Sequence, residues 1–233
     1  MTPNDIATAG QQDAGKTAQG QLDDFLRMVQ ARCADLERPL RGLEMFARDG
    51  SWFTGHIARM VDEMECWEIN AKYIPDLERN IPTAKVRQVD SIAHEPEPGD
   101  TFGLICLDNP QGIYGDYCEH FEALPRALRI LAKTGVLVFY VNLNPYRAKP
   151  SAPNDDYGMV EHDAWFERRA AFYGRDAESL TPEFAEQFYG QMFQRLGLTM
   201  KSFDGVLFRS TVPGHPDYMF RVVAAVERGP SAA

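Results

Sequence analysis

The sequence predicts an α/β fold: a mostly parallel sheet of seven strands, helices on both faces, and an antiparallel hairpin at the end. Five short apolar segments, RGLEMFA, MECWEIN, KVRQVD, FGLICLD and GVLVFYVNL, succeed one another across residues 41–143, most closing on a polar or acidic residue. Helix-like stretches separate them, and strands alternating with helices build parallel sheets through right-handed crossovers. Two further strand-like segments, MKSFDGVLFRS and DYMFRVVAAVE, are joined by the turn-like TVPGHP, a link short enough for antiparallel pairing.

Taken in order, residues 1–20 are polar and carry almost no bulky apolar side chains. They have too little to bury to offset the entropy of ordering, so a disordered tail is expected. Nor do they have the basic start and apolar core of a secretory signal. Residues 21–36 place Leu22, Phe25, Leu26, Val29 and Leu36 at helical spacing, an amphipathic lead-in helix. Between the fourth and fifth strands, YCEHFEALPRALRILAKTG reads as a helix closed by Gly135 as its C-cap. After residue 146 a proline-rich loop and an aromatic-rich helix interrupt the rhythm, and residues 146–180 read as a substrate-recognition insert. The helix from residue 182 has Thr181 as N-cap, Pro182 at its first position and Glu183 in its first turn. The domain is expected to span residues 21–228 as one unit.

Composition bounds the function. The chain has 233 residues, 44% of them apolar and 25% charged, with a formal net charge of −10. Such a surface repels phosphate backbones, and the clearest basic pair, Arg168-Arg169, is too small a patch to overcome it. Nucleic acid is therefore disfavoured as a partner, and no apolar run is long enough to span a membrane. Cys33, Cys66, Cys106 and Cys118 form no close pair, which fits a reduced, cytoplasmic protein. Whether the chain forms a homodimer is left open.

In an open parallel sheet ligands bind at the carboxyl ends of the strands. The residues there are Glu44 to Gly50, Glu68, Asp90-Ser91, Asp108-Asn109-Pro110, and Asn142 with Asn144. Acids recur at three successive strand ends, Glu68, Asp90 and Asp108. A carboxylate accepts two hydrogen bonds at once, as a ribose diol requires. Charged strand ends are also simply exposed strand ends, but the ordered series favours a nucleotide-type cofactor.

The order of elements and the stretch LEMFARDGSWFTGHIA resemble the class I S-adenosylmethionine-dependent methyltransferases, a Rossmann-like superfamily, over about residues 40–228. The first motif of that family reads roughly L-E-x-G-x-G-x-G-x-x-T-x-x-L-A; Leu43, Glu44, Gly50, Thr54 and Ala58 match it with one extra residue after Gly50. Phe46 and Arg48 stand at the first two glycine positions. The resemblance implies S-adenosylmethionine as cofactor, held by Glu44, Phe46, Arg48, Gly50, Glu68, Asp90, Ser91 and Asp108. Glu68 would take the ribose hydroxyls, Asp90 the adenine amino group, and Arg48 the donor carboxylate through its fork of donors. The turn Asp49-Gly50-Ser51 would leave backbone N–H groups open.

A hydroxyl or amine acceptor gains from a nearby base. Asp108 is best placed for that, with His162 beside Asp163 as a second candidate. Asn109, Tyr146, Trp165 and Tyr173 are the candidate acceptor-binding residues. DNPQ echoes only weakly the N-P-P-Y motif of amino-methylating relatives, so O- and N-methylation both stay open. A magnesium site is not expected, because Asp108 with Asn142 and Asn144 offers one carboxylate where that ion prefers several. The function implied is methylation of a small molecule. The alternative is a catalytically silent methyltransferase-like binding or scaffold protein. A nicotinamide-dependent oxidoreductase is disfavoured, since there is no G-x-G-x-x-G run.

Overall fold

The computed structural model describes residues 18–51, 53–97, 99–107, 119–143, 162–174, 179–209 and 217–229. Its sheet has seven strands in the order β3-β2-β1-β4-β5-β7-β6. They are β1 (Arg41–Met45), β2 (Glu63–Glu68), β3 (Ala84–Gln88), β4 (Phe102–Leu107), β5 (Leu131–Asn142), β6 (Leu198–Arg209) and β7 (Asp217–Arg228). The pairings among β1 to β5 are parallel, and β7 runs antiparallel to both β5 and β6. The expected architecture, terminal hairpin included, is present.

Position in the sheet accounts for composition. Central β4, FGLICL, is buried at every residue, which a strand covered on both faces requires. Edge strand β3, AKVRQ, is only partly covered. Its Lys85 and Arg87 reach across to Glu65 at 3.3 and 2.5 Å, and charge on an edge discourages stray pairing.

Side chains alternate between two cores. On one face Leu43, Met45, Trp67, Ile105, Leu107 and Phe139 pack beneath α4 (Glu119–Ile130), α5 (His162–Tyr173) and α6 (Pro182–Arg195). On the other, Cys66, Leu104, Cys106, Val136 and Val138 pack beneath α1 (Ala18–Ala34), the short α2 (Thr54–Ile57) and α3 (Ile74–Asn80). In α1, Phe25, Val29 and Cys33 form the buried stripe, and Arg32 fixes the helix to β6 through Asp204, with Nε and Nη2 at 2.9 and 2.6 Å. Helix α6 begins as its sequence predicts: Thr181 is extended and its Oγ1 accepts from Phe184 N at 3.2 Å. Its buried residues, Ala185, Tyr189 and Phe193, recur every fourth position.

One boundary needs correction. Gly135 is not a helix C-cap: α4 ends at Ile130 and β5 starts at Leu131, so Gly135 is a strand residue opposite Val226. The pairing of β5 with β4 and β7 outweighs the helical preference of ILAK. The tail expected over residues 1–20 lies outside the described residues up to 17, and α1 starts at Ala18. Most of the insert expected at 146–180 also lies outside them; of its described residues, Leu180 donates its amide to Leu143 O at 2.8 Å.

Candidate functional site

The carboxyl end of β1 turns into a loop whose backbone follows a regular pattern. Phe46, Arg48 and Gly50 have φ of 66, 50 and 69°, all in the left-handed region. For an L-residue with a Cβ that conformation costs about 1–2 kcal/mol, and here two of the three are not glycine. Gly50 has a further constraint, because a Cβ there would meet Leu77 Cδ1 at 2.9 Å and Ile81 Cγ1 at 3.0 Å. Phe46 and Arg48, at the first two glycine positions of the motif, thus adopt a backbone conformation that favours glycine.

Internal hydrogen bonds hold that shape. Ala47 N donates to Trp67 O at 2.9 Å, Arg48 N to Glu68 Oε2 at 2.8 Å, and Gly50 N to Ala47 O at 2.9 Å. Asp49 Oδ1 accepts from Ser51 N and Oγ at 3.1 and 2.7 Å. Desolvation pushes the Asp49 carboxyl up, but the Ser51 hydroxyl and amide, together with the Arg48 charge, outweigh it and hold the group below its ordinary range. The open amides expected at Gly50 and Ser51 are therefore already in use, the first by the Ala47 carbonyl and the second by the Asp49 side chain, which folds back onto its own turn.

Glu68 closes β2 and is 3% exposed. Besides Arg48 N on Oε2, its Oε1 accepts Asn70 N at 2.7 Å, and a carboxylate has about four lone-pair positions in all. Beside it Ile69 is 53% exposed, one of two large apolar residues so exposed among the described residues. Tyr73 lies beneath the guanidinium of Arg48 at 5.2 Å and the ammonium of Lys72 at 4.9 Å, both within cation–π range. Sequence reading passed over Ile69 and Tyr73; the signal for the first was an aliphatic residue directly after a strand-end acid.

The other candidates divide. Asp90 Oδ1 caps its own turn by accepting Ile92 N at 2.8 Å, and Ser91 is buried beside it. Glu44 is wholly buried on the α1 side of the sheet, in register with Cys66 and Cys106 on the flanking strands. Burial first, and then the charges of Glu44 and Glu65, push the Cys66 thiol well above its ordinary range. Tyr173 is buried, with its hydroxyl 3.0 Å from that of Tyr189. Asp108, Asn109 and Tyr146 lie outside the described residues, as do the side chains of His162 and Trp165 in α5. The pair Arg168-Arg169 is split: Arg168 reaches Glu122 at 3.8 Å, whereas Arg169 is fully buried against the end of β5. Among the described residues no cluster of His, Cys, Asp and Glu has the spacing of a metal site, and no helix is long and apolar enough to cross a membrane.

Solved structures with this topology decide the fold. The plantazolicin methyltransferase BpumL, solved with a pentazolic desmethylPZN analog and S-adenosylhomocysteine, superposes with a TM-score of 0.56 at 12% identity, covering 97% of this chain and 92% of that one. The N-methyltransferase NodS from Bradyrhizobium japonicum WM9, with S-adenosylhomocysteine, gives 0.53 at 14% identity over 97% and 100% of the two chains. A putative RNA methyltransferase from Pyrococcus horikoshii gives 0.54 at 12% identity over 92% and 86%. This chain has the class I methyltransferase fold. No family model and no curated protein matches its sequence. The acceptors named for two of these structures, plantazolicin and RNA, differ in kind, so fold alone does not choose among them.

Proposed function

We propose that this chain is an S-adenosylmethionine-dependent methyltransferase acting on a small-molecule acceptor. The observation that carries this reading is the left-handed backbone at Phe46 and Arg48. Strained backbone persists where the surroundings over-determine it, and it gathers at sites that bind. A loop released from its ligand would be expected to relax, or to regain glycine.

The residues at the carboxyl edge suit the donor. Glu68 offers a carboxylate to the ribose, exposed Ile69 offers an apolar surface to a flat base, and Arg48 offers a fork to the donor carboxylate. Phe46, Gly50 and Glu44 shape and back the loop, while Asp90 and Ser91 form the next turn along the edge. When bound, the donor supplies an electrophilic methyl on a sulfonium. The chain's part is to hold an acceptor oxygen or nitrogen in line with that methyl and to receive its proton. We assign that part to Asp108, with His162 as second candidate, and acceptor contacts to Asn109, Tyr146, Trp165 and Tyr173. The net charge of −10 supports a small acceptor over a nucleic acid. A cytoplasmic location belongs to the same reading.

One observation favours the silent alternative: the amides of Ala47, Arg48, Gly50 and Ser51 already serve the protein. Calorimetry and thermal shift with S-adenosylmethionine and S-adenosylhomocysteine separate the two. The enzyme reading predicts binding and, at 100 times the dissociation constant, about 2.7 kcal/mol of stabilisation. Absence of binding by the wild type would overturn it.

A further inference from the structure

We propose that Glu68 is a latch on the first loop, holding the left-handed backbone at Arg48 before any donor arrives and coupling sugar recognition to loop order. The second half of this proposal rests on the methyltransferase reading; the first stands without it. The parallel pairing of β1 with β2 runs in register to Met45 and Trp67, and Ala47 N extends it by one bond to Trp67 O at 2.9 Å. At the next residue with positive φ the ladder stops. The Arg48 amide turns instead to the Glu68 side chain at 2.8 Å, so the carboxylate takes over where the main chain leaves the sheet.

The same carboxylate holds the turn after its own strand. Oε1 accepts Asn70 N at 2.7 Å, and the Asn70 side chain in turn accepts Lys72 N at 3.1 Å. One side chain thus joins two backbone segments that would both border a bound ribose. Glu68 is 3% exposed, and hydrogen bonds to an ionised acceptor gain strength where water is scarce. A ribose diol at Glu68 would engage a carboxylate already oriented by both segments. Glu68 is thus a positioning residue for the loop, in addition to any contact with the donor.

Hydrogen exchange on the donor-free protein tests the latch, because a side chain that only touches ribose leaves the empty loop unchanged. Glu68→Gln keeps the shape of the side chain but offers one oxygen, enough for one amide and not both. Whichever amide the single oxygen no longer reaches, that of Arg48 or that of Asn70, is expected to exchange about tenfold faster or more in Glu68→Gln, in line with loss of a charged hydrogen bond. A thermodynamic cycle supplies the second measurement. Arg48→Gly removes the conformational reason for a latch, so Glu68→Gln is expected to lower Tm less in that background than in the wild type. Equal exchange at both residues 48 and 70 in wild type and Glu68→Gln, or an equal fall in Tm in both backgrounds, would overturn the proposal. Faster exchange in a protein that binds neither S-adenosylmethionine nor S-adenosylhomocysteine would uphold the latch and overturn the donor coupling. Unchanged exchange with weakened donor binding would leave Glu68 a plain ribose contact and end the latch.

Discussion

Arg169 donates a hydrogen bond to the main-chain carbonyl of Asn142 from a position with no solvent exposure, and its guanidinium lies 5.2 Å from the ring centre of Tyr173. One side chain thereby fixes the last turns of α5 to the carboxyl end of β5, the edge where the acceptor is proposed to sit.

Arg169→Met is expected to lower the unfolding free energy by about 2–3 kcal/mol, because it withdraws a charged donor from a buried carbonyl. Arg169→Lys should recover only part of this, since an ammonium cannot reproduce the planar fork. Urea unfolding reads the effect. A wild-type midpoint for Arg169→Met would show that the contact does not hold α5 in place.

Arg48→Gly and Arg48→Ala should move apart. With φ at 50°, glycine relieves strain, and a net gain of about 0.5–1 kcal/mol is expected. Alanine keeps the strain and is expected to be neutral or slightly destabilised. If Arg48 grips the donor carboxylate, both variants should bind donor more weakly. Normal binding by Arg48→Ala would remove the guanidinium from the site.

Thr181→Ala should cost about 1 kcal/mol by leaving the Phe184 amide without its cap. Thr181→Ser should cost much less, because the hydroxyl is retained. Two alike variants would argue against the cap.

Alkaline stability should carry the signature of Cys33. Its thiol ionises ordinarily near 9.0; burial pushes it up to about 11, against the lowering effect of Arg38. Between those values the folded protein keeps a proton that the unfolded chain has lost. Stability from this group is thus fully present below pH 9.0 and is lost as pH rises through about 11. Cys33→Ala removes the titration and leaves Cys66 in both proteins. The difference in unfolding free energy between wild type and Cys33→Ala should be flat from about pH 7 to 8.5 and shrink above 9. A difference that stays constant to pH 11 would refute the assignment.

Much of the fold was legible because its signals are local. Most of the first five strands fall on short apolar segments closed by a polar residue, and Thr181-Pro182-Glu183 announces a helix start without outside help. Gly135 misled because ILAKTG reads as a helix end, while its place is set by partners distant in sequence, β4 and β7. Glu68 was singled out from its position at the end of a strand. The conformation of the loop was not legible: intrinsic preference argues against Phe46 and Arg48 in the left-handed region, and the bonds that the loop amides donate to Trp67 O, the Glu68 carboxylate and Ala47 O hold it there. Arg169 was hidden for a similar reason, since an arginine beside an arginine reads as surface charge.

The place of β7 has a consequence for synthesis. Among the seven strands it leaves the ribosome last, yet it is an interior strand, with β5 on one side and β6 on the other. Strands β1 to β5 can assemble as they emerge, but β6 has no described neighbour in the sheet other than β7. A nascent chain is therefore left with the edge of β5 bare and a 12-residue β6 without its strand partner until residues 217–228 follow. Such edges recruit other chains. A premature stop before residue 217, although it spares every proposed cofactor and acceptor residue, should thus yield aggregate rather than a weakened enzyme.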